Sequence, residues 1–357
     1  MSSILFIIIA ILMLGLLILV HETGHYITGR LLGFKINEFA IGLGPKIFSK
    51  EIKGIVYSLR LIPMGGFVAF HGEDEEEEKD PRAMNNMPWY KRAVVMFAGA
   101  GFNLLFAFLV TVIMTCAVGY YAPSINEVFP ESDLYGVAQQ GDIIRSVNGK
   151  EIVVPARLQM ELDKIPFDED VNLTLLRNGE KIDVTVKRYY DEESGRYLVG
   201  YRPQYVNVDP NIFQSTAYAF KHNVYMVQYT YEALFGLITG RVGIENVTGP
   251  ISTIGQIGAT VEESAVGEAA SMLTSGEKVI QTLLTVLQLL VILSINLAVM
   301  NLIPFPALDG FRLFSALIEG ITRKHIPRKI EGIVNFAGLI ILVGLMVVLE
   351  ITRLRGN

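Results

Sequence analysis

His21-Glu22-Thr23-Gly24-His25 stands at the end of a long apolar run. On a helix, residues i and i+4 share a face, with Cβ atoms about 6 Å apart. Two imidazoles so placed can hold one Zn²⁺ through nitrogens at about 2.0–2.1 Å. Glu22 can face a water on that metal and take its proton, because zinc lowers the pKa of such a water toward about 7. Two ligands and a general base from one helical turn is the logic of the pattern His-Glu-x-x-His. The bland alternative is a chance match. It is weak here, because each ionisable residue in an apolar span costs about 2.5–3.5 kcal/mol on insertion scales. Gly24 suits a helix face that another element approaches closely.

Zinc needs a third protein ligand. His71, His222 and His325 all fall outside the apolar spans. Asp309 is the better candidate, in Asn301-Leu302-Ile303-Pro304-Phe305-Pro306-Ala307-Leu308-Asp309-Gly310. The two prolines stop a helix there. Non-helical backbone at membrane depth is tolerated where it lines a cavity. Read alone, Asp309 is equally well the N-cap of a following helix. His-His-Asp would leave one zinc position open, the arrangement of a catalytic site. Asn296 and Asn301 flank this stretch, either binding a peptide backbone or oxyanion or joining helices by hydrogen bonds.

The elements that must position these groups follow from composition. The 357 residues are 51% hydrophobic and only 18% charged, with a mean hydropathy of +0.41. That excludes a disordered chain and an ordinary soluble domain. A net charge of -6 argues against a nucleic-acid partner. The single Cys116 excludes an internal disulfide and a thiolate zinc cluster, and reads as a small packing residue. Four stretches can cross a bilayer, which takes roughly 20 apolar residues. They are Ile4 to Val20 continuing toward Leu32, Ala93 to Tyr120, Val279 to Ile303, and Ile333 to Ile351. The first lacks a basic leader and a small-x-small cleavage site, so it reads as a retained span.

About ten Lys and Arg lie between Arg30 and Arg92, and about five between Pro304 and Gly332. Short basic loops favour the cytoplasmic side, so both chain termini and the block from Ala122 to Lys278 are expected outside. HETGH and Asp309 then both fall near the cytoplasmic leaflet. The acidic run Glu73-Asp74-Glu75-Glu76-Glu77-Glu78 reads as a solvated loop tip. Ile36 to Phe70 alternates and carries glycines, so hairpins are expected. An exposed edge at Gly65-Gly66-Phe67 could receive an extended peptide by β-augmentation, unless the hairpin is a plain cytoplasmic one.

The outer block divides at about Val206. Gly141 to Gly149 alternates and ends in Asn148-Gly149, and Val171 to Val186 reads as a hairpin through Asn178-Gly179. Ala156 to Asp163 is expected to be a short helix. Ser132 to Gly149 resembles part of a PDZ domain, closely from Gly141 onward and loosely at Tyr135-Gly136-Val137-Ala138. Asp209 to Gly240 is aromatic-rich and is expected either on the outer membrane surface or packed on the PDZ-like unit. Thr248-Gly249-Pro250-Ile251 breaks the chain. The expected organisation is 1–121 with the first two spans and the β region, 122–205 as the PDZ-like domain, 206–278 as a linker, and 279–357 with the last two spans. The fold class is a polytopic α-helical membrane protein with a membrane-associated β-hairpin region and an inserted extracytoplasmic α+β domain.

Taken together, the two motifs resemble those of the site-2 proteases, intramembrane zinc metalloproteases of the RseP/RasP-like group. That family pairs HExxH with Asn-x-x-Pro-x-Pro-x-Leu-Asp-Gly, in this order and with a PDZ-like unit between. The resemblance covers nearly the whole chain. It implies His21, His25 and Asp309 as zinc ligands and Glu22 as catalytic acid/base. The family's Gly-Pro-x-x-Asn is matched by Gly99-Ala100-Gly101-Phe102-Asn103 without the proline, which makes Asn103 a candidate substrate contact. A second glycine usually follows Asp-Gly; here it is Phe311. Implied substrates are single-span membrane proteins such as anti-sigma factors or remnant signal peptides, cut in regulated intramembrane proteolysis at the cell membrane. A zinc-binding transporter or a dead-site scaffold is the rival class. Polar groups concentrated at one depth, and the presence of Glu22, speak against it. A metalloprotease of soluble type tethered to the membrane would carry its motif outside the apolar runs.

Overall fold

The computed structural model describes residues 3–73, 79–192, 196–241, 243, 249–324 and 327–356. Asp74 to Glu78 of the acidic run, Thr248 and His325 lie outside the described residues. Among the described residues, four helices are long and apolar enough to cross a membrane: α1 (Ser3–Leu31), α2 (Trp89–Val118), α7 (Ser275–Asn301) and α9 (Arg328–Gly356). Between α1 and α2 run two long strands, β1 (Ile36–Ile52) and β2 (Ile55–Phe70). Then follow β3 (Tyr120–Val128), β4 (Ile143–Val147), β5 (Lys150–Glu151), α3 (Pro155–Asp163), β6 (Val171–Arg177), β7 (Glu180–Val186), β8 (Tyr189–Asp191), β9 (Arg196–Leu198) and β10 (Tyr201–Val208). The helices α4 (Ile212–Ile238), α5 (Pro250–Val266) and α6 (Glu268–Ser271) lead to α7, and α8 (Asp309–Thr322) precedes α9. This is a polytopic membrane protein containing β-sheet.

The chain forms two units, 111–225 and the remainder. In the larger unit, α1 buries Phe6, Ala10, Met13 and Leu17 against Ile257 and Val261 of α5 and Leu290 of α7. Those positions recur at helical spacing, and the same stripe continues to His21 and His25, which are also buried. Cys116 is exposed on α2, where close packing was expected. A helix within the expected linker, α5, is thus part of the core. Its Ser, Thr, Gln and Glu residues lower its apolarity and hide its buried Ile257/Val261 face from a sequence reading.

The β1–β2 ribbon is more folded than one hairpin. Lys53 and Gly54 make the turn with φ of 52° and 78°. Phe39 pairs with Val68 and also with Tyr57, and Ile41 with Gly66 and also with Leu59. The start of β1 is therefore a central strand, and Gly66–Phe70 lies along an edge. Glu38 is bonded by Ser58 at 2.6 Å, by Arg60 at 2.8 Å and by Lys46 at 3.0 Å.

In the smaller unit the strands run β10-β3-β4-β6-β7, with β5 on β4. Ile125, Ile144, Val147, Leu158, Leu173 and Val186 fill its core. Asn148-Gly149 and Asn178-Gly179 both adopt positive φ, as two-residue hairpin turns require. Tyr120 pairs with Val208, so the two ends of the sheet segment meet. The first half of α4 packs within this unit: Tyr218 stacks on Tyr120, and the Arg157 guanidinium lies over Tyr225.

Candidate metal centre

The apolar stripe of α1 carries His21 and His25 inward, and Pro304 and Pro306 end α7 so that Asp309 opens α8 beside them. Asp309 Oδ2 lies 2.8 Å from His21 Nε2 and 3.1 Å from His25 Nε2. The two Nε2 atoms are 3.2 Å apart. Among the described residues this is the group of three placed to hold a metal ion.

The donor set fits zinc. Four ligands at about 2.0–2.1 Å in a tetrahedron stand about 3.3 Å from each other, close to the three separations here. The protonation pattern agrees. His25 Nδ1 donates to the Val95 carbonyl at 2.8 Å, so that in a neutral imidazole the Nε2 lone pair would face a carboxylate and a second imidazole nitrogen. Acceptors brought together in this way repel unless a cation lies among them.

The second helix closes the back of the site. A Cβ on Gly99 would lie 2.7 Å from His21 Nε2, and one on Gly24 would run into the Ala98 carbonyl. Asn103 is fully buried, with its side-chain amide 3.3 Å from His21 Nδ1. Its Oδ1 has no hydrogen-bond partner. Exchanging the amide O and N lets Oδ1 accept from His21 Nδ1–H. Ser294 Oγ donates to the Asn103 backbone carbonyl at 2.8 Å, fixing that helix turn.

The remaining candidates take different positions. Asn301 Nδ2 is 3.4 Å from His21 Nε2. Asn296 accepts from Thr230 at 2.8 Å, a bond between α4 and α7. Glu22 borders two cavities. One, of about 420 Å³, also touches His25, Phe67, Val68, Asp309 and Arg312. The other, of about 220 Å³, touches Ile18, His21, Leu297, Asn301 and Asp309. Gly66 faces the Glu22 side chain, Gly65 lies against Leu43, and the Arg60 guanidinium sits over the Phe67 ring. His71 and His222 are no part of the cluster.

Some supporting groups escape a reading by motif. Ala307 adopts a φ of 75° and donates its N–H to Asn335 of α9 at 3.0 Å. Gly338 of α9 leaves room for Pro306. The one signal for Asn335 is an amide inside an apolar span. The Val95 carbonyl has no sequence signal at all, being backbone.

Comparison with known proteins places the chain among metalloproteases. Residues 9–345 match the family model described as Peptidase family M50. A Clostridium perfringens protein named "Putative zinc metalloprotease" is 34% identical over 349 residues, covering 97% of each chain. A Fusobacterium nucleatum protein of the same description is 30% identical, covering 96% of each chain. The Shouchella clausii protein "Zinc metalloprotease RasP" is 26% identical over 94% of this chain and 95% of its own. With a family match that spans both the His-Glu-x-x-His helix and the aspartate that meets it, this chain belongs to peptidase family M50.

Proposed function

We propose that the chain is an intramembrane zinc metalloendopeptidase that cuts single-span membrane proteins near the cytoplasmic leaflet. The convergence of His21, His25 and Asp309 carries this reading. These three hold the zinc. When bound, zinc polarises a scissile carbonyl and makes water acidic enough to be a nucleophile near neutral pH. Glu22 takes the proton of the attacking water on its carboxylate and returns it to the leaving amide nitrogen. Asn103 holds the His21 ring from behind, Asn301 faces the reacting groups, and Asn296 ties α7 to α4.

A helical substrate hides its scissile bond, so it must be extended before it can be cut. The Gly66–Phe70 edge beside Glu22 offers main-chain pairing to such a segment. Gly66 and Phe67 begin that edge, and Gly65 precedes it. The stretch 122–205, within the unit 111–225, is read as a PDZ-like filter on the extracytoplasmic side. Its strand order and its helix between β5 and β6 support that reading. It would admit substrates whose outer part is already short, such as anti-sigma factors or remnant signal peptides, in regulated intramembrane proteolysis. The basic short loops support the orientation.

The test is purified protein assayed for zinc and for cutting a single-span reporter, beside Glu22→Gln. The expected result is zinc in both and cutting by the wild type alone. Cutting at the wild-type rate by Glu22→Gln, or by zinc-free protein, would remove the mechanism.

A further inference from the structure

The strand edge beside Glu22 is already occupied. Along Gly66–Phe70, alternate N–H groups point away from β1, and one of them has a side-chain acceptor. The Phe70 N–H donates to Glu73 Oε2 at 3.4 Å. The other oxygen of Glu73 is ion-paired with Arg312, one helical turn beyond Asp309 on α8. Glu73 and Arg312 both border the 420 Å³ cavity that holds Glu22, His25 and Asp309. The pair therefore bridges the strand edge and α8 across the cavity.

A peptide that adds to this edge must offer its own carbonyls to the same N–H groups. A carboxylate is a stronger acceptor than an amide carbonyl, so a carboxylate already seated there competes with the peptide. We infer that Glu73, held by Arg312, is a built-in competitor for the substrate backbone, and that the pair opens when an extended segment seats between β2 and α8. The inference rests on the reading above, in which this edge receives the substrate. Glu73 and Arg312 are positioning residues. They set how readily the edge becomes available.

Steady-state cutting of a single-span reporter by the full-length protein tests this. Glu73→Ala is expected to lower KM by about fivefold with kcat held within about twofold, the order expected when a charge-assisted bond competing with substrate is removed. Arg312→Ala should shift KM the same way, and the double variant no further than Glu73→Ala. A purely structural role would raise KM or depress kcat. A second measurement does not depend on those variants' behaviour. Glu73→Cys with Arg312→Cys, in a Cys116→Ser background, is joined by a short thiol-reactive linker. Joined protein should lose cutting, while the same protein before joining cuts. An unchanged or raised KM in Glu73→Ala, or full activity in the joined protein, overturns the inference. Hydrogen exchange at the Phe70 amide reads the cap with no cleavage at all: slow in the wild type and fast in Glu73→Ala if Glu73 caps it, equal in both if it does not. Failure of the wild type to cut, with the exchange difference intact, would instead overturn the peptidase reading beneath.

Discussion

Gly99 of α2 faces His21 of α1 so closely that a single added methyl group would stand 2.7 Å from the imidazole Nε2. The absence of a side chain at Gly99 is thus part of the ligand geometry. Gly99→Ala should leave a folded protein that retains little zinc and does not cut. Zinc content by atomic emission, with circular dichroism on the same sample, checks it.

Asn103→Ala separates two roles for one buried amide. If the side chain holds His21 Nδ1, zinc affinity falls by about 10–100-fold, the usual cost of losing a group that orients a metal-bound imidazole. KM for the reporter stays the same once zinc is saturating. A raised KM with unchanged zinc affinity would return Asn103 to the substrate side.

Arg92 of α2 and Glu319 of α8 are ion-paired and only 6% and 5% exposed. Removing one partner strands a buried charge, so Glu319→Ala should cost about 3–5 kcal/mol. Replacing both with apolar residues, as in Arg92→Met with Glu319→Leu, should recover most of that. Thermal unfolding in one detergent compares the three proteins.

The β1–β2 sheet should loosen in acid. Burial pushes the Glu38 carboxyl up, but the bonds from Ser58, Arg60 and Lys46 overcome it and hold the pKa at about 2, against an ordinary 4.5. A depressed pKa adds stability that is full above the unfolded value and is lost as pH falls through the folded one. Amide protection in β1 and β2 should therefore decline between about pH 5 and pH 2. Glu38→Gln should already be weakened at neutral pH and show a flatter response over that window.

Because Tyr120 pairs with Val208, the segment 120–208 can be excised with a short bridge between Gly119 and Asp209. The shortened protein should cut reporters with a long outer domain, and the intact protein should not. Unchanged selectivity in a reporter series of graded outer length would argue against a filter.

Much of the architecture was legible because the bilayer imposes a coarse demand. Some 20 apolar residues must run together, and each of the four helices shows such a run. The candidate metal site was legible for the opposite reason: His21, Glu22 and His25 are costly in such a run, and Asp309 follows another one closely, so their presence is a signal. What stayed hidden depends on pairing. Alternation in Ile36 to Phe70 announces strands, but nothing in it says that Phe39 meets both Tyr57 and Val68. The sequence places the boundaries of the inserted unit near 122 and 205. The structure groups 111–225, because the end of α2 and the first half of α4 pack with the sheet. Spacing alone also could not show that Asn103 stands behind an imidazole.

Ala307, two residues before Asp309, holds a left-handed backbone conformation that L-residues other than glycine rarely adopt. Its N–H is pinned by Asn335. A strained residue of this kind costs about 1–3 kcal/mol and persists because its surroundings over-determine it. The last span supplies no ligand, yet it is what keeps the aspartate at the reach of the two histidines. Stability and catalysis are therefore set against each other at this one residue. Glycine at 307 would relieve the backbone, and the same relief would let the carboxylate wander from its place.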